Sequence, residues 1–130
     1  MIKIENLSKI YDDGTKALHN VSMEIPDGQF LVIIGLSGSG KSTLLRCING
    51  MIKPTTGRVI VDGDDATAAS GAQLRRIRAK IGMIFQQFNL VRRSSVMTNV
   101  LSGRLGYKAT LPSLFHRFSQ EDYTMAMHNL

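Results

Sequence analysis

The chain has 130 residues, of which 43% are hydrophobic and 20% are charged, so it contains enough apolar material for one modest core but not for two independent ones. Its strongest apolar run, Phe30 to Ile34, ends at Gly35 and is far shorter than the roughly 20 residues that span a bilayer, so we do not expect this chain to cross a membrane. Sixteen basic and ten acidic residues give a net charge of +6, which is compatible with an anionic partner.

The N-terminal segment has the alternation of apolar and polar residues that is typical of strands. Residues 2–10 and 17–25 show this pattern on either side of the turn-forming residues Asp12, Asp13 and Gly14, which predicts two antiparallel strands at an edge of the sheet. The segment also lacks the basic-then-apolar layout of a secretory signal. We therefore expect a cytoplasmic location.

A strand, a glycine-rich loop and a helix are predicted next, in that order. Gln29–Ile34 is a continuous apolar run after a Pro-Asp-Gly turn, a pattern typical of a strand buried on both faces. It leads directly into the loop at residues 35–42. Residues 41–49 then carry apolar side chains at helical spacing, and Gly50 is a suitable C-terminal cap.

The rest of the chain alternates short predicted strands and helices. Ser119 to Asp122 resemble a capping box in front of the last helix. The chain ends within that helix without a glycine cap, a proline or a polar tail, so we expect it to be the N-terminal portion of a longer subunit. The predicted elements are a strand at Arg58–Val61, a hairpin at Asp62-Gly63, a helix at Gln73–Ala79, a buried strand at Ile81–Phe85 and helices at 96–103 and 120–130.

The octapeptide GLSGSGKS at residues 35–42 matches the phosphate-binding P-loop in full and lies between a predicted strand and a predicted helix, the context that the motif requires. A glycine-rich turn with an incidental lysine is the alternative, and this context disfavours it. Glycines let backbone N–H groups point at phosphates, and the helix N-terminus adds roughly half a positive charge. We expect Lys41 to reach the β- and γ-phosphates, Ser42 to ligate Mg²⁺ and Thr43 to donate near the α-phosphate. The predicted ligands are therefore ATP and Mg²⁺, held by Gly35, Ser37, Gly38, Ser39, Gly40, Lys41, Ser42 and Thr43.

Over essentially its whole length the chain resembles the ATP-binding subunit of an ABC transporter. Besides the P-loop, the resemblance is carried by Tyr11, by Leu18 to Ser22, by Pro54 to Gly57 and by Ile84 to Gln87. It implies an α/β fold of the P-loop NTPase class, an ABC-type nucleotide-binding domain with an N-terminal antiparallel β-subdomain. Residues 1–130 would form the N-terminal part of one such domain, truncated before the Walker B strand, with the C-terminal remainder absent.

The resemblance also implies roles for two residues outside the P-loop. In that family an aromatic residue at the position of Tyr11 stacks on adenine, and the glutamine at the position of Gln86 forms the Q-loop, which meets Mg²⁺ and the membrane subunit. Lys41 and Gln86 are thus the predicted catalytic residues, and Ser42 and Gln86 the predicted metal contacts. Taken alone, such an aromatic residue is usually part of the core and such a glutamine is usually solvated, so their order relative to the P-loop is what favours these roles.

Three further segments look like the phosphonate-importer ATPase subfamily. They are Asn89 to Val96, Asn99 to Gly106 and Phe118 to Asp122. The resemblance implies ATP hydrolysis coupled to uptake of a phosphonate or a related phosphorus oxyanion, at the cytoplasmic face of the inner membrane. The implied partners are transmembrane permease subunits, a second ATP-binding subunit in a homodimer and, indirectly, a periplasmic or extracellular solute-binding protein.

Parts that ATP hydrolysis needs are not found in this sequence. One acidic residue must help to hold Mg²⁺ and another must position the attacking water, and the family places both after a buried apolar strand. Beyond Asp65 the only acidic residues are Glu121 and Asp122, which follow no such strand. Leu101 to Arg104 resemble the family's Leu-Ser-Gly-Gly signature only in part, because arginine replaces the second glycine, and we reject them. We therefore expect no hydrolysis by this stretch alone.

Two alternatives belong to other functional classes. In the first, the truncated chain is a nucleotide-binding module without turnover. In the second, it is a non-transport ABC protein that acts on nucleic acid, which is suggested only by the charge. Because its basic residues are not interleaved with aromatic residues that stack on bases, we interpret them as a solvated face and expect no nucleic-acid partner. They include Arg75, Arg76, Arg78, Lys80, Arg92, Arg93, Arg104 and Arg117.

Overall fold

The computed structural model describes residues 1–86, 89–107 and 118–130. The chain divides into two compact units, Met1–Ile81 and Gly82–Leu130. No helix in these described ranges is long and apolar enough to span a bilayer.

The first unit is built on a four-stranded antiparallel sheet. Its first strand, β1, spans Ile2–Ile10 and lies in the interior of the sheet, with Ile2 opposite Ile25 of one neighbour and opposite Val61 of the other. The two N-terminal strands predicted from alternation are therefore confirmed, and so is the hairpin at Asp62-Gly63. The strands are β1 Ile2–Ile10, β2 Lys16–Ile25, β3 Thr56–Val61 and β4 Asp64–Asp65, in the spatial order β2-β1-β3-β4.

The core of this unit lies between one face of the sheet and helix α1, Lys41–Ile48. Val59 and Val61, at alternate positions of the third strand, are buried there, as expected for a strand with one face toward the core. Helix α1 buries Leu44 and Cys47 against them. Burial raises the pKa of the Cys47 thiol, so the cysteine is a neutral packing residue.

A positively charged side chain from helix α2, Gly71–Ala79, contacts the C-terminal end of helix α1. Arg78 donates from Nε to the carbonyl oxygen of Asn49 at 3.1 Å and from Nη2 to that of Gly50 at 2.7 Å. A cation there complements the partial negative charge of a helix C-terminus. Gly50 has a φ of 68°, which confirms the predicted glycine cap.

Two predicted strands do not form. Gln29–Ile34 and Ile81–Phe85 have no strand partner among the described residues, and Phe30, Ile34 and Ile84 are almost fully exposed. The apolar composition was read correctly, but a strand exists only through hydrogen bonds to a neighbouring strand. The prediction of two buried strands is therefore wrong for this structure.

The second unit contains two helices, α3 Val96–Ser102 and α4 Gln120–His128, and a 3-10 turn at Leu105–Tyr107. Both helices were predicted to within two residues. The capping box is confirmed, because the Ser119 hydroxyl accepts from the Asp122 N–H while the Asp122 carboxylate accepts from the Ser119 N–H.

Candidate functional site

A cleft of about 230 Å³ lies in the first unit. Three parts of the sequence meet there: the residues after β1, the start of β2, and the P-loop with the first turn of α1. The tertiary structure thus brings the predicted phosphate loop and the predicted adenine platform together. The cleft is lined by Tyr11, Thr15, Lys16, Ala17, Gly38, Ser39, Gly40, Lys41, Ser42 and Thr43.

The P-loop is packed tightly against the main chain of β2. Gly40 precedes α1 with a φ of 89°, and a Cβ atom built there would stand 2.2 Å from the carbonyl oxygen of Ala17. Only glycine fits such a position. The N-terminus of α1 has no side-chain cap and no acidic residue in its first turn, so its backbone N–H groups remain available to an anion in the cleft.

Lys41 turns its ammonium group back into the loop. Nζ donates to the carbonyl oxygen of Gly35 at 2.8 Å, to that of Leu36 at 2.7 Å and to Ser39 Oγ at 3.1 Å. These three partners match the three N–H donors of an ammonium group. A phosphate oxygen that binds Lys41 therefore has to replace one of the loop's own acceptors.

Tyr11 is fixed beside the P-loop by its main chain and by its hydroxyl. Its N–H donates to the carbonyl oxygen of Thr15, its own carbonyl oxygen accepts from Gly14, both at 2.9 Å, and its hydroxyl lies 3.2 Å from Thr43 Oγ1. The Lys9 ammonium lies 5.4 Å from the ring centroid, within range of a cation–π contact. Tyr11 lines the cleft, which favours the predicted stacking role over a core role.

The donor set of the cleft fits a nucleotide triphosphate and a hard divalent cation. Glycine-lined backbone, the lysines Lys16 and Lys41 and the hydroxyl residues Ser42 and Thr43 all line it, and these are the donors that phosphates require. Mg²⁺ is usually bound by one or two protein oxygens together with phosphate oxygens and water. Ser42 is the residue in this set that would supply such an oxygen.

Some predicted site residues lie outside the cleft. Ser37 is exposed on the loop, and Gly35 contributes its carbonyl oxygen to Lys41 rather than a cleft surface. Gln86 is an exposed residue of the second unit, so its predicted catalytic and metal-binding role stays a prediction. Gln87 of the same motif lies outside the described residues.

Asp122 is held in a structural role in the second unit. Its side chain is 2% exposed, accepts from Ser119 and forms an ion pair with Arg104 Nε at 3.0 Å. A carboxylate with these partners does not act as a base for water. Leu101 is buried within α3, which agrees with our rejection of the segment that resembles a signature motif.

The start of β2 is the part of the site that sequence reasoning missed. Thr15, Lys16 and Ala17 line the cleft, yet no motif includes them. The only feature of the sequence that could have predicted their role is that they directly follow the turn at Asp12 to Gly14. That turn reverses the chain, so the start of β2 comes to lie near the end of β1.

Comparisons with known proteins point to one family. A family model described as ABC transporter matches residues 18–129 of the chain. Similar curated proteins include the phosphonates import ATP-binding protein PhnC of Bacillus thuringiensis subsp. konkukian (strain 97-27), which is 50% identical, and that of Lactobacillus johnsonii (strain CNCM I-12250 / La1 / NCC 533), which is 52% identical. Each alignment covers 100% of this chain and 51% of the relative. The chain therefore spans about half the length of the curated relatives it matches.

Solved structures show the same fold. The dimeric structure of MJ0796, described as a bacterial ABC transporter cassette, matches with a TM-score of 0.81 and 36% identity over 96% of this chain and 53% of that chain. A post-hydrolysis state of the same cassette bound to ADP and Pi matches with a TM-score of 0.79 and 37% identity over 98% and 55% of the two chains. The predicted fold class, an ABC-type nucleotide-binding fold with an N-terminal antiparallel sheet, is confirmed.

Proposed function

The chain belongs to the ABC transporter family, and from this premise we propose that it is the ATP-binding part of an importer subunit that couples ATP hydrolysis to solute uptake. Residues 1–130 form the N-terminal part of a single ATP-binding domain in this proposal. The observation that carries it is the cleft in which Tyr11, the P-loop and the start of α1 meet.

Several residues of the cleft have roles that their positions support. Tyr11 stacks on the adenine base, as an aromatic ring beside a nucleotide does. Lys41 and the N–H groups of the loop bind the phosphate oxygens, and Ser42 contributes its hydroxyl to Mg²⁺. Bound Mg²⁺ supplies charge neutralisation to the phosphates. Gln86 is proposed as the Q-loop residue that joins this metal site in the assembled transporter.

The transported solute and the partners come from the relatives' names rather than from the residues of the cleft. Relatives at about half identity are phosphonate import ATP-binding proteins, which supports a phosphonate or a related phosphorus oxyanion as the solute. The MJ0796 cassette is described as dimeric, which supports a homodimer of ATP-binding subunits. We accordingly propose permease subunits as partners, a solute-binding protein as an indirect partner, and a peripheral location at the cytoplasmic face of the membrane.

Turnover is proposed to need more than these residues. Among the described carboxylates, Asp122 is tied to Arg104 and none lines the cleft. Binding of Mg-ATP is therefore assigned to this stretch, whereas hydrolysis is assigned to the complete transporter.

Deleting the gene that encodes this chain in its host tests the proposal. We expect loss of growth on a phosphonate as the sole phosphorus source and unchanged growth on inorganic phosphate. The unaltered gene should restore growth and a gene carrying Lys41→Ala should not. Normal growth of the deletion strain on a phosphonate, with no other importer present, would rule out the proposed solute.

A further inference from the structure

We propose that the Tyr11 hydroxyl positions the Thr43 hydroxyl for the phosphates of the bound nucleotide, so that a single tyrosine serves both ends of the ligand. This inference rests on the proposed function, because it concerns how the same cleft holds ATP. It adds a positioning role to the stacking role of Tyr11.

The two hydroxyls belong to different elements of the first unit. Tyr11 directly follows β1, and Thr43 lies in the first turn of α1. Their oxygen atoms are 3.2 Å apart in partly buried surroundings, which is a long hydrogen bond, since most O–H···O bonds lie at about 2.5–3.0 Å. Two main-chain hydrogen bonds hold Tyr11 in its turn. The tyrosine hydroxyl is therefore presented from a restrained backbone.

The chemistry of a phosphate determines the direction of this hydrogen bond. A threonine hydroxyl has one hydrogen to donate and two lone pairs that accept. Phosphate oxygens without a proton only accept hydrogen bonds, so the Thr43 hydroxyl must donate its single hydrogen to them. The hydrogen between the two side chains then has to come from Tyr11. Both bonds point the same way along the chain of hydroxyls, and such chains strengthen one another.

Phenylalanine distinguishes this role from stacking. A phenylalanine ring at position 11 keeps the π-face on which a base stacks but has no hydroxyl to offer Thr43. If the hydroxyl positions Thr43, its loss must weaken binding of the phosphate end, even when the ligand has no base. An effect confined to ligands with a base is what stacking alone predicts.

Titration calorimetry on the full chain tests the inference with Mg-ATP and with inorganic magnesium triphosphate. We expect Tyr11→Phe to weaken both ligands by a similar factor of about two to ten, the range that one hydrogen bond accounts for. Thr43→Val should also weaken both. In the Thr43→Val background, Tyr11→Phe should have no further effect, because the group that it positions is absent.

Two further variants separate positioning from damage to the fold. Thr43→Ser keeps a hydroxyl, so the effect of Tyr11→Phe should return in that background. Tyr123→Phe makes the same chemical change on helix α4, outside the residues that line the cleft, and should leave both affinities unchanged. The melting temperature of each variant is measured in parallel. A purely structural role of the Tyr11 hydroxyl would lower it in every background, whereas the positioning role predicts that the effect of Tyr11→Phe on binding disappears in the Thr43→Val background.

The possible results distinguish failure of the positioning role from failure of the proposed function. Independent effects of Tyr11→Phe and Thr43→Val, or a Tyr11→Phe effect limited to ATP, would overturn the positioning role and leave the proposed function in place. A wild-type chain that binds neither ligand would overturn the proposed function and this inference with it.

Discussion

Gly40 stands so close to β2 that a Cβ atom on it would lie 2.2 Å from the carbonyl oxygen of Ala17. The glycine is required here for two reasons, the left-handed φ of 89° and the contact with a backbone atom that cannot rotate away. This contact sets the P-loop directly against the strand whose first residues line the same cleft.

Gly40→Ala should therefore destabilise the chain by more than the strain of a left-handed alanine, which costs about 1–2 kcal/mol. Gly63→Ala is the matched control, because Gly63 has a φ of 84° and nothing within 4 Å of its Cβ position. Chemical denaturation compares the two variants. Equal losses of unfolding free energy would show that the loop moves away from Ala17 at no cost.

Lys41→Ala should weaken Mg-ATP binding at least about tenfold, because the triphosphate loses its charged donor within the loop. The measurement is titration calorimetry of the full chain. Lys53→Ala removes an exposed lysine that is not part of the cleft and should leave the affinity unchanged. Equal affinities for wild type and Lys41→Ala would contradict the P-loop assignment.

Tyr11→Ala should weaken ATP by about 1–3 kcal/mol beyond the loss seen in Tyr11→Phe, the scale of base stacking on an aromatic ring. For inorganic triphosphate the two variants should behave alike, since that ligand has no base. The difference between alanine and phenylalanine thus isolates the ring from the hydroxyl. A matched extra loss for both ligands would mean that the ring supports the fold instead.

The 130-residue chain should bind Mg-ATP weakly and release no phosphate above background, because none of its described carboxylates lines the cleft. A phosphate-release assay measures this, and Lys41→Ala serves as the control for contaminating ATPases. Turnover in the wild type that disappears in Lys41→Ala would mean that a residue of this chain supplies the catalytic base.

Glu5 should make the stability of the first unit depend on pH in the acid range. Lys3 and Arg58 both donate to its carboxylate and hold the pKa of Glu5 below its usual range. A carboxyl whose pKa is lowered by folding contributes stability above its unfolded pKa, and this is lost as the pH falls through the folded value. The window therefore lies below about pH 4.3.

The melting temperature of Glu5→Gln should accordingly decrease less on acidification than that of the wild type. At neutral pH the variant should melt at a slightly lower temperature than the wild type. The change should be small, because the Glu5 carboxylate is partly exposed to solvent, and it should shrink further at high salt. Thermal unfolding from neutral pH down to pH values below this window measures it. Parallel pH profiles of variant and wild type would show that the Glu5 pairs contribute nothing to folding.

Local patterns in the sequence determined the P-loop, the two N-terminal strands and the helices. Each depends on residues that are close along the chain: glycines that open a loop, alternating apolar residues in β1 and β2, and the capping box before α4. The match of residues 35–42 to a phosphate loop needed no tertiary information. Family resemblance then supplied the predicted roles of Tyr11 and Gln86, which the patterns alone left open.

Only the tertiary structure decided what surrounds the loop. Contact between Gly40 and Ala17, the 3.2 Å approach of Tyr11 to Thr43, and the burial of Asp122 against Arg104 join residues far apart in the chain. Periodicity reports which side chains are apolar but not which neighbour they meet. In the same way, the continuous apolar run at Gln29–Ile34 predicted a buried strand, where the structure shows a segment whose side chains are mostly exposed. Pairing between strands is a property of the fold and not of the segment.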